Sequence, residues 1–255
     1  MSLLAIEHLT HWFGGLKAVS EFQLDLRPGE LVALIGPNGA GKTTVFNLIT
    51  GVYRPSEGRI LFEGKDLVGQ PTNQVIAGGV ARTFQSIRLF KGLSVLDNVR
   101  IARYSRTAYS PVSALLRMRD FTREEEGTRR ESLELLQIFG LADQANAISK
   151  NLPYGQQRRL EIARALATKP RLLLLDEPAA GMNPAEIQQL MDLILWVRRT
   201  FGLTILLIEH QMRVVMGIAE RIKVLDFGET IAEGTPAEIQ NNPRVIEAYL
   251  GEEAA

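Results

Sequence analysis

Leu31-Val32-Ala33-Leu34-Ile35-Gly36-Pro37-Asn38-Gly39-Ala40-Gly41-Lys42-Thr43-Thr44 decides the fold of this 255-residue chain. The apolar run reads as a short buried strand, and a helical stretch follows from Thr44 to Thr50. Between them, Gly36 to Thr43 carries the G-x-x-x-x-G-K-[ST] spacing of a phosphate loop, in the strand–loop–helix setting that loop requires. Its glycines let the backbone curl so that successive N–H groups point at phosphate oxygens. Lys42 can reach the β- and γ-phosphates, and the Thr43 hydroxyl can ligate Mg²⁺. The helix opening at Thr44 adds its positive end to the same anion site. A glycine-rich turn between core elements is the plain alternative, and eight matching positions with both flanks weigh against it. The chain is predicted to bind a nucleoside triphosphate.

A phosphate loop leaves kinases, GTPases, helicases and transport ATPases open, so the rest of the chain must choose. Leu172-Leu173-Leu174-Leu175-Asp176-Glu177-Pro178 reads as a fully buried parallel strand with two acids at its C-terminal end, where α/β sheets place ligands. Asp176 would hold Mg²⁺, directly or through water, and Glu177 would orient and deprotonate the water attacking the γ-phosphate. The plain alternative is an acidic pair capping the next helix. A carboxylate base beside the metal aspartate argues for hydrolysis of the triphosphate over transfer to a substrate.

Composition sets bounds. At 45% hydrophobic the chain can bury a full core as one large, two-lobed domain. Lys+Arg and Asp+Glu both number 29, so no global charge drives binding to nucleic acid or an anionic bilayer. The absence of cysteine excludes disulfides and Cys-ligated metal sites and fits a reducing compartment. Met1 to Glu7 lacks the features of a signal peptide, and no apolar stretch reaches the ~18 residues of a membrane span. A membrane role would therefore come through a partner.

Phe22, Leu24 and Leu26 alternate with polar residues before a Pro28-Gly29 turn, and Ile60-Leu61-Phe62 follows Gly58, so the first third reads as strands. The middle reads as helices over Ser94 to Arg103, Glu124 to Phe139 and Gln156 to Thr168. Asn183-Pro184 then opens a helix that Phe201-Gly202 closes. A strand over Thr204 to Ile208, a helix from Gln211, a hairpin around Phe227-Gly228-Glu229 and short helices near Pro236 and Pro243 complete the chain. The predicted fold class is α/β: a phosphate-loop core with an antiparallel β subdomain and an inserted helical subdomain. The core is assigned to 1–85 and 160–255, and the insert to 86–159.

Further motifs select a family. Arg82-Thr83-Phe84-Gln85 and Leu152-Pro153-Tyr154-Gly155-Gln156-Gln157-Arg158-Arg159 lie between the phosphate loop and the acidic strand. Ala179-Ala180-Gly181-Met182-Asn183, Ile208-Glu209-His210 and Tyr249-Leu250-Gly251-Glu252 follow it. Over nearly its whole length the chain resembles the ATP-binding subunit of ABC transporters, most nearly the LivG-type subunit of branched-chain amino acid importers. The resemblance implies that Gln85 meets Mg²⁺ or the attacking water through its amide oxygen, from a loop that faces membrane subunits. It implies that His210 donates to the γ-phosphate and that Phe13 stacks on adenine, with Trp12 as its neighbour and rival. By themselves these would read as a surface glutamine, a structural histidine and core aromatics. His8 and His11 have no motif context and read as surface residues.

Two departures from the family pattern stand out. Where the family signature has Leu-Ser-Gly-Gly-Gln, Pro153 replaces the serine and Tyr154 the first glycine. In the family these groups bind the γ-phosphate held by the opposite subunit. Pro153 removes a hydroxyl and an N–H donor, leaving Gly155 and the helix start at Gln156. Asn183 stands where the family has aspartate, which removes a charge beside the dimer seam.

The resemblance implies an ATP- and Mg²⁺-dependent hydrolase held at the cytoplasmic face of the membrane by transmembrane permease subunits. It further implies a second, distinct ABC ATPase and, indirectly, a substrate-binding protein as partners. A urea or amide importer, a lipid-extracting system and a soluble ABC ATPase outside transport are the other readings. A GTPase is disfavoured by the lack of an Asn-Lys-x-Asp motif, and nucleic acid by the neutral charge and lack of basic or aromatic arrays. Arg100 to Arg130 holds eight arginines against Asp120, Glu124, Glu125 and Glu126, and reads as a solvated helical excursion.

Overall fold

The computed structural model describes residues 2–104, 111–116 and 118–253, with side chains at 111, 112 and 250–253 left out. The chain divides into two compact units, 1–85 with 171–255, and 86–170.

In the first unit, β1 (Leu4–Phe13) and β2 (Leu16–Leu26) pair antiparallel, as do β1 and β4 (Glu57–Phe62) and β4 and β5 (Lys65–Asp66). Phe22, Leu24 and Leu26 are buried and Glu21, Gln23 and Asp25 exposed, so one face of this sheet is apolar and the other wet. The second sheet runs β10 (Glu229–Gly234), β9 (Arg221–Asp226), β3 (Leu31–Ile35), β8 (Thr204–Ile208), β7 (Leu172–Asp176), β6 (Val80–Arg82). All neighbours in it are parallel except the β9–β10 hairpin. Its three central strands, β3, β8 and β7, are buried at every residue, as expected of parallel strands covered on both faces.

A single core joins these layers. Phe22, Leu24 and Ile60 from the antiparallel sheet meet Val45, Phe46 and Ile49 from helix α1 (Lys42–Ile49). Val32, Leu34, Leu172, Leu174, Leu206 and Ile208 supply one face of the parallel sheet to the same cluster. The alternate residues Ala33, Leu173 and Leu207 are buried on the opposite face. Parallel pairing brings the C-terminal ends of β3, β8, β7 and β6 to one edge. With strands ~4.8 Å apart, β8 holds the end of β3 about 10 Å from the end of β7. The Gly36–Thr43 loop, Asp176 with Glu177, and His210 all follow strands that end at that edge.

Helix α2 (Thr72–Ala77) precedes β6. The second unit is helical, with α3 (Val95–Arg103), α4 (Pro111–Leu115), α5 (Arg119–Ile138) and α6 (Tyr154–Ala167). Ser94 caps α3 by accepting from Asp97 N–H, and α3 packs against α5 and α6. Arg158 and Glu161 of α6 form a fully buried ion pair at 2.7 Å. The assigned return to the core at residue 160 is corrected to 171, because α6 is continuous through 160 and stays whole in the helical unit. Helix α5 begins at Arg119, ahead of the predicted Glu124. Of the arginine-rich excursion, Arg106 and Arg117 lie outside the described residues, while Arg100 pairs with Asp97 and Glu125 and Arg103 with Glu131.

Back in the first unit, α7 (Pro184–Phe201) starts at a capping box in which Asn183 Oδ1 accepts from Ala185 and Glu186 N–H, and it ends on Gly202 in the left-handed region. Helices α8 (Met212–Ile218), α9 (Pro236–Gln240) and α10 (Pro243–Glu253) complete the fold. Among the described residues no helix is long and apolar enough to cross a membrane.

Candidate functional site at the sheet edge

The phosphate loop leaves β3 at Gly36 and enters α1 at Lys42. Two of its glycines are required by close packing. A Cβ on Gly36 (φ 147°) would meet Leu225 O at 2.0 Å, and one on Gly41 (φ 100°) would meet Ala18 O at 2.4 Å. The β9–β10 hairpin braces the loop: Gly228 N–H donates to Ala40 O, and Ser20 N–H of β2 donates to Gly228 O. Lys42 is buried, with Nζ donating to Gly36 O at 2.6 Å and Pro37 O at 2.7 Å, which centres its ammonium over the loop.

A cavity of about 440 Å³ opens above it, lined by Asn38, Gly39, Ala40, Gly41, Lys42, Thr43 and Thr44 together with Gln85 and Glu177. Phe13, Leu16 and Phe227 supply apolar rims. Between the rivals at the end of β1, it is Phe13 that lines this cavity, whereas the Trp12 ring carries Lys17 Nζ at 5.1 Å. His11 is corrected from a surface residue to a buried one, stacked on Tyr53 (centroids 5.6 Å) and edge-on to Phe13 (4.6 Å). The backbone explains it: His8 has φ 46° and the β1–β2 register shifts on both sides of Leu9, which breaks the two-residue alternation. His8 itself is exposed and pairs with Glu21.

At the end of β7, Asp176 is buried and Glu177 takes a left-handed backbone (φ 45°). A non-glycine residue held there stores about 1–3 kcal/mol of strain, which the surrounding structure must hold in place. Glu177 N–H donating to Ile208 O is part of that restraint. Glu177 Oε2 accepts from Gln85 Nε2 at 2.7 Å, and His210 Nδ1 lies 3.5 Å from the same oxygen. Gln85, the Asp176–Glu177 pair and His210, from three distant stretches of sequence, thus gather at one edge with the loop. Thr43, Gln85 and Asp176 offer a hydroxyl, an amide oxygen and a carboxylate, an all-oxygen donor set that suits a hard cation such as Mg²⁺. Gly155 and Gln156 belong to the helical unit, at the start of α6 after Pro153.

Two residues quoted only as parts of motifs emerge here with partners of their own. Arg82 donates from Nη2 to Asp176 Oδ2 at 2.8 Å and from Nη1 to Asn47 Oδ1 at 2.7 Å, with its guanidinium over the rings of Phe46 and Phe84. Both side chains of the pair are buried. Removing one partner of a buried pair leaves the other charge uncompensated, so Arg82→Met should cost about 3–5 kcal/mol in denaturant unfolding. An unchanged midpoint would show that Asp176 is not held by this pair. Glu209, fully buried beyond β8, accepts backbone N–H groups from Ala179, His210 and Gln211. Burial pushes its carboxyl pKa up, against the lowering pull of those three N–H groups and of the His210 charge.

The chain resembles known proteins over nearly its whole length. The chain matches the ABC transporter family over residues 19–180 and the branched-chain amino acid ATP-binding cassette transporter family over 229–255. It is 48% identical, across 98% of both chains, to the high-affinity branched-chain amino acid transport ATP-binding protein LivG of Escherichia coli K12. The ADP conformation of MJ1267, an ATP-binding cassette of an ABC transporter, superimposes with a TM-score of 0.86 at 32% identity, covering 99% of this chain and 100% of that one. The dimeric post-hydrolysis state of the cassette MJ0796, bound to ADP and Pi, gives 0.76 at 26% identity over 91% and 98%. The chain therefore belongs to the ABC transporter family, as an ATP-binding cassette with the phosphate-loop fold and an ATPase coupled to transport.

Proposed function

We propose that this chain hydrolyses MgATP at the sheet edge to power a branched-chain amino acid importer, as one of two different ATPases held by transmembrane permease subunits at the cytoplasmic face of the membrane. A substrate-binding protein would deliver the amino acid to the other side of the permease. The carrying observation is the cavity that the phosphate loop, Gln85 and Glu177 line together, with His210 against Glu177. Likeness to LivG over 98% of both chains, and the match of 229–255 to a branched-chain amino acid cassette family, support the substrate class.

In this reading the loop N–H groups and Lys42 hold the β- and γ-phosphates and Phe13 stacks on the base. Mg²⁺, when bound by Thr43 and Asp176 with Gln85, would neutralise charge on the phosphates. Glu177 takes the proton of the attacking water, and His210 donates to the γ-phosphate. Gly155 and Gln156, in the first turn of α6, would face the ATP of the partner ATPase.

The test is reconstitution in liposomes with candidate permease subunits, the second ATPase and the binding protein, followed by ATP-driven uptake of leucine, isoleucine and valine. Uptake of another solute, with none of these three, would overturn the substrate assignment. Gln85 also links the cavity to the segment entering the helical insert. Gln85→Ala is therefore expected to lower uptake by about tenfold or more while ATP affinity changes less than about threefold. Equal losses in both would make Gln85 a nucleotide ligand alone.

A further inference from the structure

The last backbone pairing between β7 and β8 joins Asp176 to Ile208, and beyond it the two strands part into separate loops. One loop carries Glu177 and Ala179, the other His210 and Gln211. The side chain of Glu209 continues the connection where the ladder stops. Its Oε1 accepts Ala179 N–H at 2.8 Å, and its Oε2 accepts His210 N–H at 3.1 Å and Gln211 N–H at 3.2 Å. Gln211 returns the tie, with Nε2 donating to Ala179 O at 3.1 Å. Glu209 is fully buried, whereas the imidazole of His210 is more than half exposed. An exposed ring is thus mounted on a backbone fixed by a buried carboxylate.

We propose that Glu209 is a positioning residue: by bridging the two loops it holds His210 within reach of Glu177 and of the γ-phosphate. This rests on the role given to His210 above. A carboxylate, with two acceptor oxygens, is the group suited to three N–H donors at once. Glutamine has the same shape but a single acceptor oxygen, and its NH₂ would face at least one of those N–H groups. The loop registration would then loosen, and displacements near 1 Å cost about a hundredfold in rate when a reacting group is misplaced.

The experiment is a double-mutant cycle on the full chain with its partner ATPase, reading kcat and KM for ATP. Glu209→Gln is expected to lower kcat by about ten- to a hundredfold with KM within about threefold, at a melting temperature close to the parent's. In the His210→Ala background the same substitution should change kcat by less than about twofold, because the group it positions is gone. Equal factors in both backgrounds would overturn this inference and leave the role of His210 standing. Full activity of His210→Ala by itself would overturn both. Should Glu209→Gln fail to fold, Glu209→Asp keeps the charge but is one methylene short of spanning the loops, and the same cycle then decides.

Discussion

Glu177→Gln is expected to bind ATP as the parent chain does and to turn it over ~10²–10⁴-fold more slowly. The geometry makes this substitution unusually clean. Glu177 Oε2 accepts from Gln85 Nε2, and the amide oxygen of a glutamine can keep that contact. Its left-handed backbone is restrained by the bond to Ile208 O, which the substitution leaves untouched. Lys42 and the phosphate-loop N–H groups, on which ATP affinity would depend, lie between β3 and the first turn of α1 and are unchanged. What disappears is the proton acceptor. Single-turnover hydrolysis alongside equilibrium binding of a fluorescent ATP analogue measures the two quantities separately. Near-parent hydrolysis in this variant would remove Glu177 as the base.

The parts of the site written as fixed spacings are legible in the amino-acid sequence alone. Gly36, Gly41 and Lys42 follow one another along a single loop, and Asp176 and Glu177 close an apolar run that can only be a central strand. Gln85 and His210 need the family resemblance, since each is a single residue at the end of an element. Arg82 and Glu209 are not legible as contributors. Arg82 finds Asp176 across 94 residues, because β6 lies beside β7 in the sheet, and Glu209 finds Ala179 across 30. Nothing local marks either contact. His11, read as a surface residue for want of a motif around it, carries no local mark of its burial, which comes from its packing on Tyr53 and Phe13 within an irregular β1–β2 register. The end of the insert is misplaced for a related reason. Helix α6 runs without interruption from the altered signature to Ala167, so its pattern contains no boundary at 160. The arrest comes only at Thr168-Lys169-Pro170, where proline ends any helical continuation.

The same helix carries the second large expectation. Pro153 sits at the N-cap of α6, where a serine would offer a hydroxyl; its φ of −53° suits the position, but it has neither side-chain donor nor N–H. Tyr154 follows, and its hydroxyl accepts from the buried Arg158 at 3.3 Å. Asn183 likewise spends its side-chain oxygen on the first turn of α7, accepting from Ala185 and Glu186 N–H. In the pair of ATPases proposed above, the Leu152–Gln156 segment would face the partner's ATP, and the partner's signature would face Lys42 and Glu177. A homodimer would lack the serine hydroxyl at both sites. A partner with an intact signature would restore it at the site built on this chain's own loop. A hydrogen bond to a charged group contributes about 1.5–3 kcal/mol, so the mixed pair should hydrolyse ATP roughly 10–100-fold faster than this chain alone. Purified chain, with and without the second ATPase, should be compared for steady-state turnover. ATP-induced dimerisation of the Glu177→Gln form, followed by gel filtration, supplies the equilibrium side of the comparison. A lone chain that forms a tight ATP-dependent homodimer and turns over as fast as the mixture would show that Gly155 and the N-terminus of α6 suffice, and that the altered signature imposes no pairing.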